Sequence, residues 1–329
     1  ILTEVLQQAR DITVVGCAED PYQAREMIKT LNPDVLTLDI EMPKMDGISF
    51  LKNLMRLRPM PVVMISTLTQ QGAPITLEAL EIGAVDFVAK PTANVANEMQ
   101  SYAQTLQQKV RTAASANVRR HAQATTSVQP SSSAKVEFKL SQLVAIGAST
   151  GGTEAIKEVI TRLPVNFPAV VITQHIPPVF SKSFAVRMNT MCAMQVHEAH
   201  DGQVIKTGNI YIAPGSEHLL VERNGGKLQC RLSSAEPVNR HRPAVDVMFN
   251  SLVDQDLAKR TCALLLTGMG ADGAQGLLNL RSAGAVTGAQ DQASSVVWGM
   301  SKAAFDLGAA RDTVSLSACP SWLIEQTKK

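Results

Sequence analysis

Three residues beyond position 140 of this 329-residue chain carry chemistry and stand where a parallel sheet would expose them. Ser149 follows the apolar run Leu143–Ala148 in a Gly147-Ala-Ser149-Thr-Gly151-Gly152 turn, ahead of the helical-looking segment Glu154–Leu163. Glycines on both sides let the backbone turn sharply and lift the hydroxyl clear of the sheet. The amides that open the helix aim at the same point and suit a developing oxyanion. Alone, such a turn also serves a phosphate, a cofactor or plain tight packing. His175 follows the run Ala169–Gln174, and Asp272 lies in Gly268–Gly273 after the run Ala263–Thr267. Parallel strands would bring all three to one rim, as nucleophile, base and orienting carboxylate. Serine is a poor nucleophile at neutral pH and needs a base within reach, and the imidazole needs a partner to fix its tautomer. Singly, the plainer readings are a surface histidine and a turn aspartate. His197, His200, His218 and His241 compete for the base, and Asp291, after Ala285–Ala289, for the third position.

The first third holds a second constellation. Asp39 ends the run Val35–Asp39, Ser66 ends Val62–Ser66, and Lys90, followed by Pro91, comes after Asp86–Ala89. An aspartate flanked by a hydroxyl and a lysine can accept a phosphoryl group and have its new charge matched. The plainer alternative is a turn-capping aspartate beside a surface lysine. All three positions arriving in order at strand ends argue against it.

The elements that must position these residues alternate. Strand-like Ile12–Cys17, Val35–Asp39, Val62–Ser66 and Asp86–Ala89 are interleaved with helix-like Pro21–Leu31, Gly47–Leu57 and Thr76–Ile82, then a helical segment from about Asn97 to Arg111. Such alternation predicts a parallel sheet covered on both faces. From Thr112 to Val136 the pattern stops in a Ser-, Thr-, Ala- and Gln-rich stretch ending in Gln129–Ala134, which reads as a solvated linker, Arg119, Arg120 and His121 included. A second βα series then begins, with strands at Val144–Ile146, Ala169–Gln174, Asn209–Ala213, Ala263–Thr267 and Ala285–Ala289, and helices at Thr153–Leu163 and Gly273–Ala283. Gly225-Gly226 divides two apolar-alternating runs between Leu219 and Leu232, a hairpin signal. The expected organisation is α/β throughout: a flavodoxin-like domain over 1–111, a linker over 112–138, and a doubly wound domain with an antiparallel hairpin over 139–329.

Composition narrows the class. Five scattered cysteines, Cys17, Cys192, Cys230, Cys262 and Cys319, form no CxxC pair, which argues against a disulfide framework or zinc site and for the cytoplasm. A net charge of +2 gives no reason to expect nucleic acid. No apolar run reaches the roughly 18 residues of a membrane span.

Residues 1–110, through Asp39, Ser66 and Lys90-Pro91, resemble the receiver domain of two-component response regulators. The resemblance implies Asp39 as phosphoacceptor, Ser66 and Lys90 as switch residues, and Mg²⁺ at the phosphorylation site. Family receivers open on a strand ending in an acidic pair that helps hold the metal. Here Ile1–Arg10 reads as the end of the first helix, so that strand and pair are absent and the metal site at Asp39 is incomplete. The absent strand is central in a 2-1-3-4-5 sheet, so the core should be compromised and the sequence is read as N-terminally incomplete.

Beyond the linker, Gly147–Gly152, Thr173-Gln-His175, Asn239-Arg-His-Arg-Pro-Ala-Val-Asp246 and Gly268–Gly273 resemble the signatures of the chemotaxis receptor methylesterases. That resemblance implies a triad of Ser149, His175 and Asp272 with no esterase cofactor. It implies hydrolysis of glutamyl methyl esters on chemoreceptors, deamidation of certain receptor glutamines, and a chemotaxis histidine kinase as phosphodonor. The oxyanion donors are expected near Thr150 or in Gly268–Gly270. Two other classes remain open from the residues: a regulator whose second domain only binds a partner, and a hydrolase of small esters or amides. A dinucleotide loop is disfavoured because the turn lacks G-x-G-x-x-G order and the next strand ends in Gln174-His175, not an acid. The α/β-hydrolase fold is disfavoured by the chain order Ser, His, Asp.

Overall fold

The computed structural model describes residues 2–67, 69, 72–90, 96–118, 136–139 and 141–329, with the side chains of 96–98 left aside. Two compact units divide at Thr125 and Thr126. Pro91, Arg119, Arg120, His121, Gln129–Ala134 and Leu140 lie outside the described residues.

In the first unit, helices α1 (Leu2–Gln7), α2 (Pro21–Leu31), α3 (Gly47–Leu57), α4 (Ala73–Ile82) and α5 (Ala96–Ala114) accompany strands β1 (Leu36–Asp39), β2 (Val62–Ser66) and β3 (Asp86–Ala89). The strands pair in parallel in the order β1-β2-β3. Asp20 caps α2 by accepting from the amides of Tyr22 and Gln23, and Asp46 caps α3 by accepting from that of Ser49. The central β2 is buried at all five positions, whereas Leu36 and Thr37 of β1 are only half-buried. The expected strand Ile12–Cys17 joins no ladder. A strand needs a hydrogen-bonded neighbour, and among the described residues none pairs with this one. Its alternation of half-buried Ile12 and Val14 with exposed Thr13 and Val15 survives without a partner.

The second unit is built on seven parallel strands in the order β12-β11-β10-β4-β5-β7-β6. In chain order these are β4 (Leu143–Ala148), β5 (Ala169–Gln174), β6 (Gln195–Glu198), β7 (Asn209–Ile212), β10 (Thr261–Leu265), β11 (Val286–Gln290) and β12 (Asp312–Val314). Between β7 and β10 comes the antiparallel hairpin β8 (His218–Asn224) and β9 (Lys227–Ser233). Gly225 and Gly226 both take positive φ at its tip, as a two-residue primed turn demands. β4, β5 and β10 are buried at every residue, which is why they read as continuous apolar runs.

The covering helices are α6 (Gly152–Ile160), α7 (Pro178–Met191), α8 (Val245–Asp254), α9 (Ala274–Ser282), α10 (Met300–Asp306) and α11 (Cys319–Thr327). Helix α8 buries Val245, Met248, Phe249 and Leu252, one face at helical spacing, each worth about 1.5–3 kcal/mol. The hairpin lies against it, with the Val221 amide donating to Ser251 Oγ at 3.0 Å. Residues 136–139 also belong to this unit, for Lys139 donates its amide to Thr327 O at 3.0 Å and Phe138 bridges to Lys328.

From β4 the chain moves to β5, then to the edge strand β6 and back to β7 between them, before crossing to β10 on the other side of β4. The reversal beside β4 opens a crevice at the carboxyl ends of β10, β4 and β5. Gly147 is what lets α8 close over it: a Cβ there would stand 2.3 Å from Val245 Cγ1. Valine is branched at Cβ, so its methyls are stiff about χ1 and do not readily swing away. Gly147→Ala should therefore lower stability by about 1–3 kcal/mol, read as a reduced urea midpoint; an unchanged midpoint would mean that α8 moves freely.

Candidate active site and phosphoacceptor

Ser149 lies one residue beyond β4, His175 one beyond β5, and Asp272 in the loop leaving β10. The His175 amide donates to Ala148 O at 3.1 Å, and the Ser149 amide to Thr267 O at 3.0 Å, so three strand ends are tied together. Gln174 Nε2 adds a clamp, donating to Ser149 O at 2.9 Å and His175 O at 3.1 Å. Gly268 packs so closely that a Cβ would lie 2.8 Å from Ser149 Cβ.

The side chains meet in line. His175 Nδ1 is 3.1 Å from Ser149 Oγ, and His175 Nε2 is 2.7 Å from Asp272 Oδ2. An ionised carboxylate only accepts, so Nε2 carries the proton toward Asp272 and Nδ1 presents its lone pair to the serine hydroxyl. The side chains of His175 and Asp272 are 7% and 2% exposed, which keeps water from competing for these bonds.

Asp272 is held by more than the histidine. Oδ2 also accepts from the Val245 amide at 2.7 Å, while Oδ1 accepts from Asn239 Nδ2 at 2.9 Å and the Asp246 amide at 3.2 Å. Val245 and Asp246 open helix α8, so the carboxylate sits on a helix N-terminus whose dipole favours negative charge. Burial pushes its pKa up, but His175, Asn239 and the Val245 amide outweigh that and bring it down to about 2. Beside it, burial pushes the Asp246 carboxyl up, and the charge of Asp272 adds to this against the Gly276 amide at 2.6 Å.

The competing residues lie elsewhere. His218 is buried between the Ala244 amide, which donates to Nδ1, and Glu236 O, which accepts from Nε2. His197 pairs with Asn209 and His200 with Asp201 O. Asp291 accepts from the Ser294 amide and hydroxyl and so caps a turn. His241 is the exception: its ring stacks on that of His175, with centroids 3.7 Å apart and 11° between planes. The amides of Ser149 and Gly268 donate to Thr267 O and Val297 O, so neither is turned to an oxyanion in this conformation. Residue types assigned no role to Asn239, the Val245 amide or Gln174, because their roles depend on backbone position; the stretches Thr173–His175 and Asn239–Asp246 that carry the resemblance were the available signals.

In the first unit, Lys90 Nζ is 2.7 Å from Asp39 Oδ2, and the Glu41 amide donates to Asp39 Oδ1 at 3.0 Å. Asp39 and Lys90 are about one-third exposed. Ser66 is not drawn to them: its buried hydroxyl is 2.7 Å from Thr76 Oγ1 on α4. Gly47 opens α3 directly against this rim, where a Cβ would meet Asp39 O at 2.1 Å. Among the described residues no group of three His, Cys, Asp or Glu side chains could hold a metal ion.

Residues 144–323 match the family model described as CheB methylesterase, and residues 1–126 match that of the response regulator receiver domain. A protein-glutamate methylesterase/protein-glutamine glutaminase of Vibrio vulnificus is 51% identical over 326 residues, covering 99% of this chain and 94% of that protein. One from Paraburkholderia xenovorans is 51% identical over 325 residues, covering 96% and 90%. The crystal structure of the Thermotoga maritima CheB methylesterase catalytic domain superposes with a TM-score of 0.55 at 38% identity, covering 56% of this chain and 98% of that one.

The low pKa of Asp272 makes stability depend on pH. Its ordinary value is 3.8, and a depressed folded value contributes stability that is present above it and lost as the pH falls toward about 2. Asp272→Asn should be less stable than the parent by about 2 kcal/mol near neutral pH, with the gap closing below pH 3.8. Urea titrations across that range would show it; a gap independent of pH would mean that the charge contributes nothing.

Proposed function

The chain belongs to the CheB methylesterase family, with a receiver domain ahead of the esterase, and on that footing we propose that Ser149, His175 and Asp272 are its catalytic residues. It is a protein-glutamate methylesterase and protein-glutamine glutaminase, a response regulator whose output is hydrolysis in chemotaxis adaptation. The observation that carries the residue assignment is the continuous line from Ser149 Oγ through the two ring nitrogens of His175 to Asp272.

In this mechanism His175 Nδ1 takes the Ser149 proton as Oγ attacks the glutamyl ester carbonyl. The imidazolium that forms is stabilised by Asp272, which stays ionised because its pKa is far below neutral. Nδ1 then returns the proton to the departing methanol, and water resolves the acyl-enzyme by the same path in reverse. A glutamine side chain follows the same course with ammonia as the leaving group. The substrates are methyl esters of glutamyl residues on chemoreceptors, reached in the cytoplasm. The five cysteines are all free, which is in keeping with that compartment, and no helix among the described residues is long and apolar enough to cross a membrane.

Asp39 is the proposed phosphoacceptor, with a chemotaxis histidine kinase as donor, and its phosphorylation raises esterase activity. Lys90 is placed to match the added charge of about −1.5 to −2. Ser66 would have to exchange its Thr76 partner for the phosphoryl group, which makes it the moving part of the switch. Mg²⁺ is the ion expected to accompany phosphorylation, and the described residues provide too few ligands for it.

Ser149→Ala should abolish methanol release from methylated receptor while leaving the urea midpoint unchanged. Retained hydrolysis would eliminate the serine mechanism and leave the second domain as a binding module. For the receiver, Asp39→Asn should abolish phosphoryl transfer from the histidine kinase. Labelling retained in that variant would exclude Asp39 as the phosphoacceptor.

A further inference from the structure

We infer that His241 is a positioning residue for the reaction, acting as a flat platform that holds the ring of His175 at the tilt proton transfer requires. The inference rests on the catalytic reading of Ser149, His175 and Asp272.

Both hydrogen bonds of His175 lie at its ring nitrogens, 3.1 Å to Ser149 and 2.7 Å to Asp272. Bonds at the two ends of a ring resist sliding in its plane. They resist turning of the ring about its Cβ–Cγ bond far less, and that turn carries the Nδ1 lone pair out of line with Ser149 Oγ. A second ring lying flat at 3.7 Å and 11° fills the space into which the first would turn. It also offers a π face to the imidazolium that forms when the serine is deprotonated.

His241 is itself rigidly mounted. Its amide donates to Val238 O at 2.9 Å and its carbonyl accepts from the Val238 amide at 3.0 Å, closing a two-residue turn. The two turn residues, Asn239 and Arg240, take φ of 53° and 68°. Asn239 Nδ2 reaches from that turn to Asp272 Oδ1 and Asp246 Oδ2. One turn thus fixes the carboxylate that orients His175 and the ring that backs it, so both restraints on the base share a frame. His218, His197 and His200 find their hydrogen-bond partners elsewhere.

The test compares His241→Ala with His241→Phe in the full chain, measuring kcat and KM for methanol release and the rate of Ser149 labelling by a fluorophosphonate. Loss of the platform should cut kcat and the labelling rate about tenfold or more, with KM within about twofold, since misplacement by a fraction of an ångström acts on the chemical step. His241→Phe keeps a flat ring and should recover most of both rates. Parent-like kcat in a folded His241→Ala protein, or a change in KM alone, would overturn the inference. So would His241→Phe falling as low as His241→Ala with its fold intact. Should His241→Ala fail to fold, His241→Phe decides: near-parental rates uphold the platform and a tenfold loss refutes it. Ser149→Ala run alongside separates the two readings, because activity there would sink the serine mechanism whatever His241 does.

Discussion

A carboxylate buried at the start of a helix is the constraint from which the rest of the esterase unit follows. Taken out of water alone, the charge of Asp272 would cost several kcal/mol, or the group would simply take up a proton. It stays ionised because two amides of α8, the Asn239 side chain and His175 all donate to it. Those donors exist only if α8 starts beside the crevice. Its approach depends on two places where a side chain is missing. Val245 fills the space over Gly147 and Gly273, and a Cβ on either would stand within 2.6 Å of it. The hairpin and the apolar face of α8 press the helix into that seat. Packing of ordinary aliphatic residues is thereby converted into the charge state of one oxygen pair.

The two sheets use strand-end aspartates for opposite ends. Asp39 is about one-third exposed, with Lys90 against it, as suits the proposed nucleophile, which must reach the phosphorus of a phosphodonor. Asp272 is 2% exposed and saturated with donors, as suits a group that must never react. The residue type and its place on the strand are the same in both. Access and the number of hydrogen bonds separate a nucleophile from a fixed counter-charge.

Much of this was legible from residue order alone. Ser149, His175 and Asp272 could be picked out because each follows an apolar run, and the double glycine at 225–226 announced a hairpin with the right tip. Helix α8 was hidden, since its start falls inside the polar run Asn239–Asp246 and its apolar face spans little more than two turns. The edge strands β6 and β12, with four and three residues, are too short to show a period. Ile12–Cys17 shows the opposite failure: the alternation of a strand is present, yet a strand is defined by a neighbour and here it has none. His241 entered as a rival base because composition cannot distinguish a ring that takes a proton from a ring that braces one.

The position of β10 has a temporal meaning as well. It docks against β4 from the far side of the sheet, joining segments more than a hundred residues apart in the chain. The bond between His175 and Asp272 spans 97 residues. Such long-range contacts form late, because the chain entropy lost in closing the loop must be met before the contact gives anything back. A growing or half-folded polypeptide therefore holds its serine and histidine well before anything poises them. On the proposed assignment, hydrolytic competence is a property of the finished sheet, since a nascent chain lacks the carboxylate that orients His175 until its last third has been made.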